Sequence, residues 1–145
     1  MRFLYNIALG LWRVYWFSFR PKTVGVKCLV ECDEKYLFIK HSYGSRRHNW
    51  NLPGGGVKKN ESLEMAIKRE VQEELGITLH KTVKIKEYIS SVEYKTDTVH
   101  CYHAKVEKLD FLLSSEISEA KWFLKKMLPE NISRSIKEIL SVIEN

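Results

Sequence analysis

None of the three cysteines in this 145-residue sequence belongs to a Cys-x-x-Cys pair: Cys28, Cys32 and Cys101 are odd in number and stand apart. That disfavours a disulfide framework and a cysteine zinc site, and leaves small strand residues in a reducing cytosol. Long basic runs are also missing. The net charge of +6 admits an anionic partner, but the basic residues are scattered and nothing longer than Arg46-Arg47-His48 occurs. A nucleic-acid groove is therefore the weaker idea. No segment repeats, and none is low in complexity. The most apolar stretch, residues 1–20, is interrupted by Arg13 and falls short of the ~20 apolar residues a membrane-spanning helix needs. No small-x-small site follows it, which argues against a cleaved signal peptide.

What is present fits one core. The length suits a single domain, and the 44% hydrophobic content argues against disorder. Over residues 1–20, Arg2, Asn6, Arg13 and Arg20 fall on one narrow stripe of a helix whose remaining surface is apolar and aromatic. Such an amphipathic helix packs on protein, forms a homodimer contact or lies peripherally on a membrane. Pro21 ends it. Residues 22–41 predict a hairpin with a polar turn at Asp33-Glu34-Lys35, followed by a turn-rich loop with a short strand at 50–52. A helix is expected over residues 62–75, capped by Asn60 or Ser62 and stopped by Gly76. Strands are expected near 82–92, 98–107 and 120–124, and a last helix from Pro129 with Ile132, Ile136, Ile139, Leu140 and Ile143 on one face. Hairpins interleaved with helices give an α/β or α+β class with a mixed sheet covered by helices.

The helix at 62–75 carries an irregularity. Its apolar stripe starts with Leu63, Ala66 and Ile67, and its continuation reaches Glu70, Glu73 and Glu74. Carboxylates on a face that begins as core must be neutralised, paired or bound to cations. A divalent ion such as Mg²⁺ meets that need, because it takes oxygen ligands and bridges carboxylates to phosphates. The glycines just before the helix, Gly54, Gly55 and Gly56, let backbone approach an ion or phosphate closely.

The stretch from Gly55 to Ile77, GGVKKNESLEMAIKREVQEELGI, resembles the Nudix box at Gly55, Glu61, Arg69, Glu70, Val71, Glu73, Glu74, Gly76 and Ile77. The flanking stretches RPKTVGVKCLV and EISEAKWFLKKMLPENI also look like this family. The resemblance thus spans most of residues 20–145, which sets the domain at 21–145 and leaves only the first helix, 1–20, unaccounted for. It implies an α/β/α sandwich around a mixed sheet. It further implies hydrolysis, with Mg²⁺ or Mn²⁺, of a diphosphate linkage in a nucleoside diphosphate joined to another group. By the same resemblance Glu70, Glu73 and Glu74 would be metal ligands, assisted by the carbonyl of Gly54 or Gly55. Glu61 would brace the loop or sit near the metal, and Arg69 would orient a carboxylate. Glu70 is the first choice for general base, with Glu116 or Glu119 second.

Arg46, Arg47, His48 and Trp50 precede the glycines and could grip phosphate or stack a base; an exposed basic loop with Trp50 as a strand anchor is the equal alternative. His100 and His103 would point to opposite faces of a strand and so make a poor ligand pair. Family members that cleave ADP-ribose often carry a proline soon after the box, and none stands between Pro53 and Pro129. Those acting on dinucleoside polyphosphates often carry a tyrosine there, and Tyr94 is the candidate. Hydrolysis of nucleoside triphosphates or dinucleoside polyphosphates, and a module that binds nucleotides without cleaving them, are the competing expectations. A cytoplasmic location is expected, with peripheral membrane contact through residues 1–20 as the variant.

Overall fold

The computed structural model describes residues 22–44, 48–92 and 95–144. The helix expected over residues 1–20, and Arg46, Arg47 and Tyr94, lie outside the described residues. The elements run β1 (Lys22–Cys32), β2 (Lys35–His41), β3 (Gly54–Gly56), α1 (Leu63–Leu75), β4 (Val83–Val92), β5 (Lys95–Lys105), β6 (Ile117–Leu124) and α2 (Arg134–Ile143). The strands form one mixed sheet in the order β4-β5-β1-β2-β6, with β3 paired to β1. All adjacent pairs are antiparallel except β1 with β5, which run parallel from Lys22↔Thr96 to Glu31↔Lys105.

β1 is the central strand, and its alternation builds two cores. Val26, Cys28 and Val30 face α1, where they join Ala66, Ile67, Val71 and Leu75. Leu29, on the other side, joins Phe38, Val99, Cys101, Ile136, Ile139 and Leu140 beneath α2. Helices thus cover both faces, which makes the α/β/α sandwich. The three cysteines are free and buried. Asp33 and Glu34 take φ of 46° and 57°, the two-residue hairpin geometry that matches strand twist.

Two elements depart from sequence expectation. Trp50 and Asn51 form only single bridges, to Ile132 and Ile39, in place of a strand at 50–52. The last helix starts at Arg134, well past Pro129, because residues 131–133 are drawn out along the Trp50 backbone. Trp50 N–H donates to the Asn131 carbonyl at 2.9 Å, and Ser133 N–H donates to the Trp50 carbonyl at 2.8 Å. Among the described residues, no helix is long and apolar enough to cross a membrane.

At the end of β1 away from the glycines, the buried Glu31 carboxylate lies 2.7 Å from both Lys125 Nζ and His103 Nε2. Burial alone would raise its pKa, but the hydrogen bonds and charges of Lys125 and His103 outweigh burial and hold it below the usual carboxylate value. A lowered folded pKa gives stability that is complete above the unfolded value of about 4.3 and lost as pH falls through the folded one. Glu31→Gln should therefore lower the unfolding midpoint at pH 7, and that deficit should shrink as melts are repeated down to about pH 3.

Candidate active site

The acidic helix is set by local rules. Ser62 Oγ accepts the Met65 N–H at 3.1 Å at the N-terminus, and Gly76, at φ 63°, closes the other end in the left-handed conformation. Its buried face runs through Ala66, Ile67, Val71, Glu74 and Leu75. Glu74 therefore points inward among core residues, at 3% exposure. Glu70 flanks that face, with its side chain 15% exposed. Glu73 corrects the expectation of three inward carboxylates: its side chain is 56% exposed. One residue advances a helix by about 100°, which carries Glu73 off the stripe that Glu74 occupies.

The glycine turn lies against these acids. Gly54 N–H donates to Glu74 Oε2 at 2.9 Å. Gly55 faces Glu70 so closely that a Cβ there would stand 2.7 Å from the carboxylate, so a larger residue would push the Glu70 side chain out of its place. Gly54 is more constrained still. It has φ 142°, and an added Cβ would lie 2.0 Å from the Val26 carbonyl oxygen. Gly54→Ala should cost roughly 3 kcal/mol or more of stability, read as a lower urea midpoint, with loss of activity in whatever protein remains folded.

Arg69 ties the acids together. Its Nε and Nη2 donate to the two oxygens of Glu61 at 2.6 and 3.0 Å. Nη1 donates to Glu70 at 2.8 Å and Glu73 at 3.2 Å, and Nη2 also reaches the Gly56 carbonyl at 3.0 Å. The Arg69 hydrogen bonds, with the Lys58 N–H, pull Glu61 down to about 2. Glu74 goes the other way. Burial pushes it up to about 7 against the pull of Lys27 and the Gly54 N–H, and the charges of Glu70 and Glu116 add to the rise.

Gly54, Gly55, Gly56, Glu70 and Glu74 line a cleft of about 750 Å³, within the usual range for a small-molecule site, whereas Glu61, Arg69 and Glu73 stand outside its lining. Glu116 borders it, held by a loop whose ends are anchored: Ser42 N–H donates to the Glu116 carbonyl at 3.0 Å and Ser114 N–H to the Glu74 carbonyl at 3.1 Å. Glu119 does not line it; it faces Lys40 at 3.5 Å on the surface of β6. Trp50 does not line it either. It is 5% exposed, stacked edge-on against Phe123 at 4.9 Å, and serves as a core anchor. His100 and His103 take opposite faces of β5, beside Glu87 and Glu31. Four lining residues have no signal in the local sequence: Lys27, His41, Tyr88 and Arg134. The last two form a pair, with the guanidinium 5.0 Å from the ring centre.

Among the described residues, no three acidic, histidine or cysteine side chains stand together as a ready metal cage. The donor chemistry nevertheless fits a hard divalent cation. Glu70, Glu74 and Glu116 are oxygen donors on one cleft, burial disfavours the charged form of Glu74 in the absence of a cation, and the glycines leave backbone oxygens approachable.

Comparison with known proteins agrees with this geometry. A family model described as NUDIX domain matches residues 20–141. The Bacillus subtilis (strain 168) protein YtkD, to which an 8-oxo-dGTP diphosphatase activity is ascribed, is 33% identical over 122 residues, covering 83% of this chain and 72% of its own. An RNA pyrophosphohydrolase of Orientia tsutsugamushi (strain Boryong) is 26% identical over 121 residues, covering 82% of this chain and 69% of its own. Among solved structures, the MutT protein of Methanosarcina mazei Go1 superposes with a TM-score of 0.75 at 27% identity, over 86% of this chain and 94% of that one.

Proposed function

This chain belongs to the Nudix family, and from that premise we propose that it is a pyrophosphohydrolase that cleaves a phosphoric anhydride bond of a nucleotide with the help of Mg²⁺. The observation that carries this reading is the placement of Glu74, buried among core residues, with Glu70 and Glu116 along one cleft. A fold that keeps repelling carboxylates together in a partly buried wall is suited to cations, and cations suited to oxygen donors are suited to diphosphates. Divalent ions held by Glu70, Glu73, Glu74 and a glycine carbonyl would neutralise the diphosphate and acidify the attacking water.

The chain's own residues do the rest. Glu70 takes the proton of the water as its oxygen attacks phosphorus, and the bond to the bridging oxygen breaks as the leaving phosphate departs. Arg69 Nη1 fixes the orientation of Glu70 through the 2.8 Å hydrogen bond, and Glu61 in turn fixes Arg69. Glu116 is the second candidate for the base because it reaches the same cleft from the opposite loop. In the lining of the same cleft, Tyr88 and Arg134 offer a flat, cationic surface for a nucleobase, as stacked arginine and tyrosine can.

The test is product analysis on a panel covering nucleoside triphosphates, 8-oxo-dGTP, dinucleoside polyphosphates and nucleoside diphosphates joined to a second group, with and without Mg²⁺. Metal-dependent release of phosphate or pyrophosphate from at least one of them is the expected result. Tight binding without turnover on any would replace hydrolysis with nucleotide sensing.

A further inference from the structure

We propose that Asp97 is a specificity-determining residue of the cleft, whose carboxylate reads the outer edge of the nucleobase and selects guanine. The cleft floor is built from neighbouring strands in fixed register. Gly25 stands beside Val99, and Val99 beside Tyr88, so these three form one row across β1, β5 and β4. Gly25 also pairs with Gly56, which puts that row next to the glycine turn. The following row, about 6.6 Å farther from the turn, is Thr23, Asp97 and Ser90. All six residues line the cleft.

The two rows differ in chemistry. The first is flat: Gly25 has no side chain, Val99 is buried, and the Arg134 guanidinium lies 5.0 Å from the Tyr88 ring centre. Two strand spacings, about 10 Å, separate Gly25 from Tyr88, which leaves room for a sugar between phosphates at the turn and a base over Val99 and Tyr88. Such a base turns its outer edge to the second row. That row is wholly polar, and Asp97 is its one charged member. Among the described residues, no hydrogen bond or ion pair engages its carboxylate. The neighbouring Thr23 Oγ1 is closed to solvent and equally without a partner. An ionised carboxylate only accepts hydrogen bonds, through two oxygens that suit a pair of parallel donors. Guanine offers two adjacent donors on its outer edge, N1–H and the 2-amino group. Adenine and cytosine set a ring-nitrogen acceptor beside their amino group, and uracil and thymine flank one N–H with two carbonyls. Each of these turns a lone pair towards Asp97. Oxidation at C8 leaves the guanine edge unaltered, so 8-oxo-dGTP is read in the same way.

This inference rests on the nucleotide reading above, and its test keeps the two apart. Binding of GMP, IMP, AMP, CMP and UMP, which contain no anhydride bond, is measured by calorimetry with Mg²⁺ for the wild type, Asp97→Ala and Asp97→Asn. Hydrolysis of the corresponding triphosphates and the melting temperature of each protein are recorded beside it. The wild type is expected to favour guanine over adenine, cytosine and uracil by ~10-fold or more. Hypoxanthine, which lacks the 2-amino group, falls between guanine and adenine. Asp97→Ala flattens the preference. Asp97→Asn redirects it towards adenine, because an amide both donates and accepts and so matches the adenine amino group and N1. If Asp97→Ala fails to fold, the near-isosteric Asp97→Asn carries the comparison. A wild type without base preference, or a preference that survives both substitutions, overturns the role of Asp97 and leaves hydrolysis standing. An equal loss of affinity for every base with a lower melting temperature overturns it too, since it marks a structural role. Guanine-selective binding that Asp97→Asn redirects, with no nucleotide cleaved, overturns hydrolysis and leaves the role of Asp97 standing.

Discussion

Glu74→Gln should lower kcat on the order of 10³-fold, equivalent to about 4 kcal/mol of transition-state stabilisation, while the fold persists. The amide keeps the shape of the side chain, and its oxygen still accepts the Gly54 N–H, which is 2.9 Å away in the wild type. What disappears is the negative charge. Glu74 is 3% exposed, and burial raises its pKa to about 7. Removing a buried charge that Glu70 and Glu116 also repel should leave the metal-free variant at least as stable as wild type. The melting temperature in chelator should therefore hold or rise by a few degrees, while the further rise on adding Mg²⁺ disappears. A variant that instead melts earlier in chelator would show that the carboxylate serves the fold. Steady-state kinetics and paired melts in Mg²⁺ and chelator make the measurement.

Arg69→Ala should act on fold and activity together. The guanidinium makes five donor contacts, to Glu61, Glu70, Glu73 and the Gly56 carbonyl, and its side chain is 19% exposed. Without it three carboxylates lose their shared partner in a confined space. Breaking a buried ion pair by removing one partner costs about 3–5 kcal/mol, and partial exposure of Glu73 places this case at roughly 3 kcal/mol. Activity should fall by ~10²-fold or more because Glu70 loses the hydrogen bond that aims it. Arg69→Lys should recover little of either loss. An ammonium is a single point charge and cannot reproduce two parallel bonds to Glu61 together with a third to Glu70. Urea unfolding read beside kcat would separate the two effects. Full rescue by lysine would reduce the role of Arg69 to its charge.

The parts of this protein that were legible in the sequence are those decided within about a dozen residues. The acidic helix is announced by Ser62 at one end and Gly76 at the other, and its inward face by the run from Ala66 to Leu75. The hairpin of β1 and β2 follows from alternation and a polar turn. Features fixed by distant pairing were not legible. Glu116 and Glu119 look alike as loop acids, and only the register of β6 on β2, which sets Glu119 across from Lys40, decides which one reaches the cleft. Trp50 sits in a loop rich in turn residues, yet Phe123, far along the chain, draws it into the core. Lys27 alternates with core residues like any outward strand lysine, and reaches the site only because β3 pairs beside it. The start of α2 moved past Pro129 for a similar reason, since the backbone of Trp50 holds residues 131–133 extended.

The central position of β1 has a bearing on how the chain is made. One edge of the strand is divided between β2, from Val30 to Cys32, and β3, from Gly25 to Lys27, while the whole of its other edge belongs to β5. The hairpin can close as soon as β2 has been synthesised, but the parallel partner arrives only after the acidic helix and β4. Long-range parallel pairing is slow because loop closure is unfavourable until the contacts that offset it exist. A nascent chain halted before β5 would present the free edge of β1, apolar on the face that carries Val24, Val26, Cys28 and Val30, to any other strand it met. A slip of one residue at that moment would exchange the side chains meant for the two cores and carry Lys27 away from Gly54. The ladder from Lys22 to Glu31 is thus a checkpoint in biogenesis: until it is in register, neither hydrophobic layer nor the cleft exists, and protease resistance and catalytic competence should emerge together during refolding.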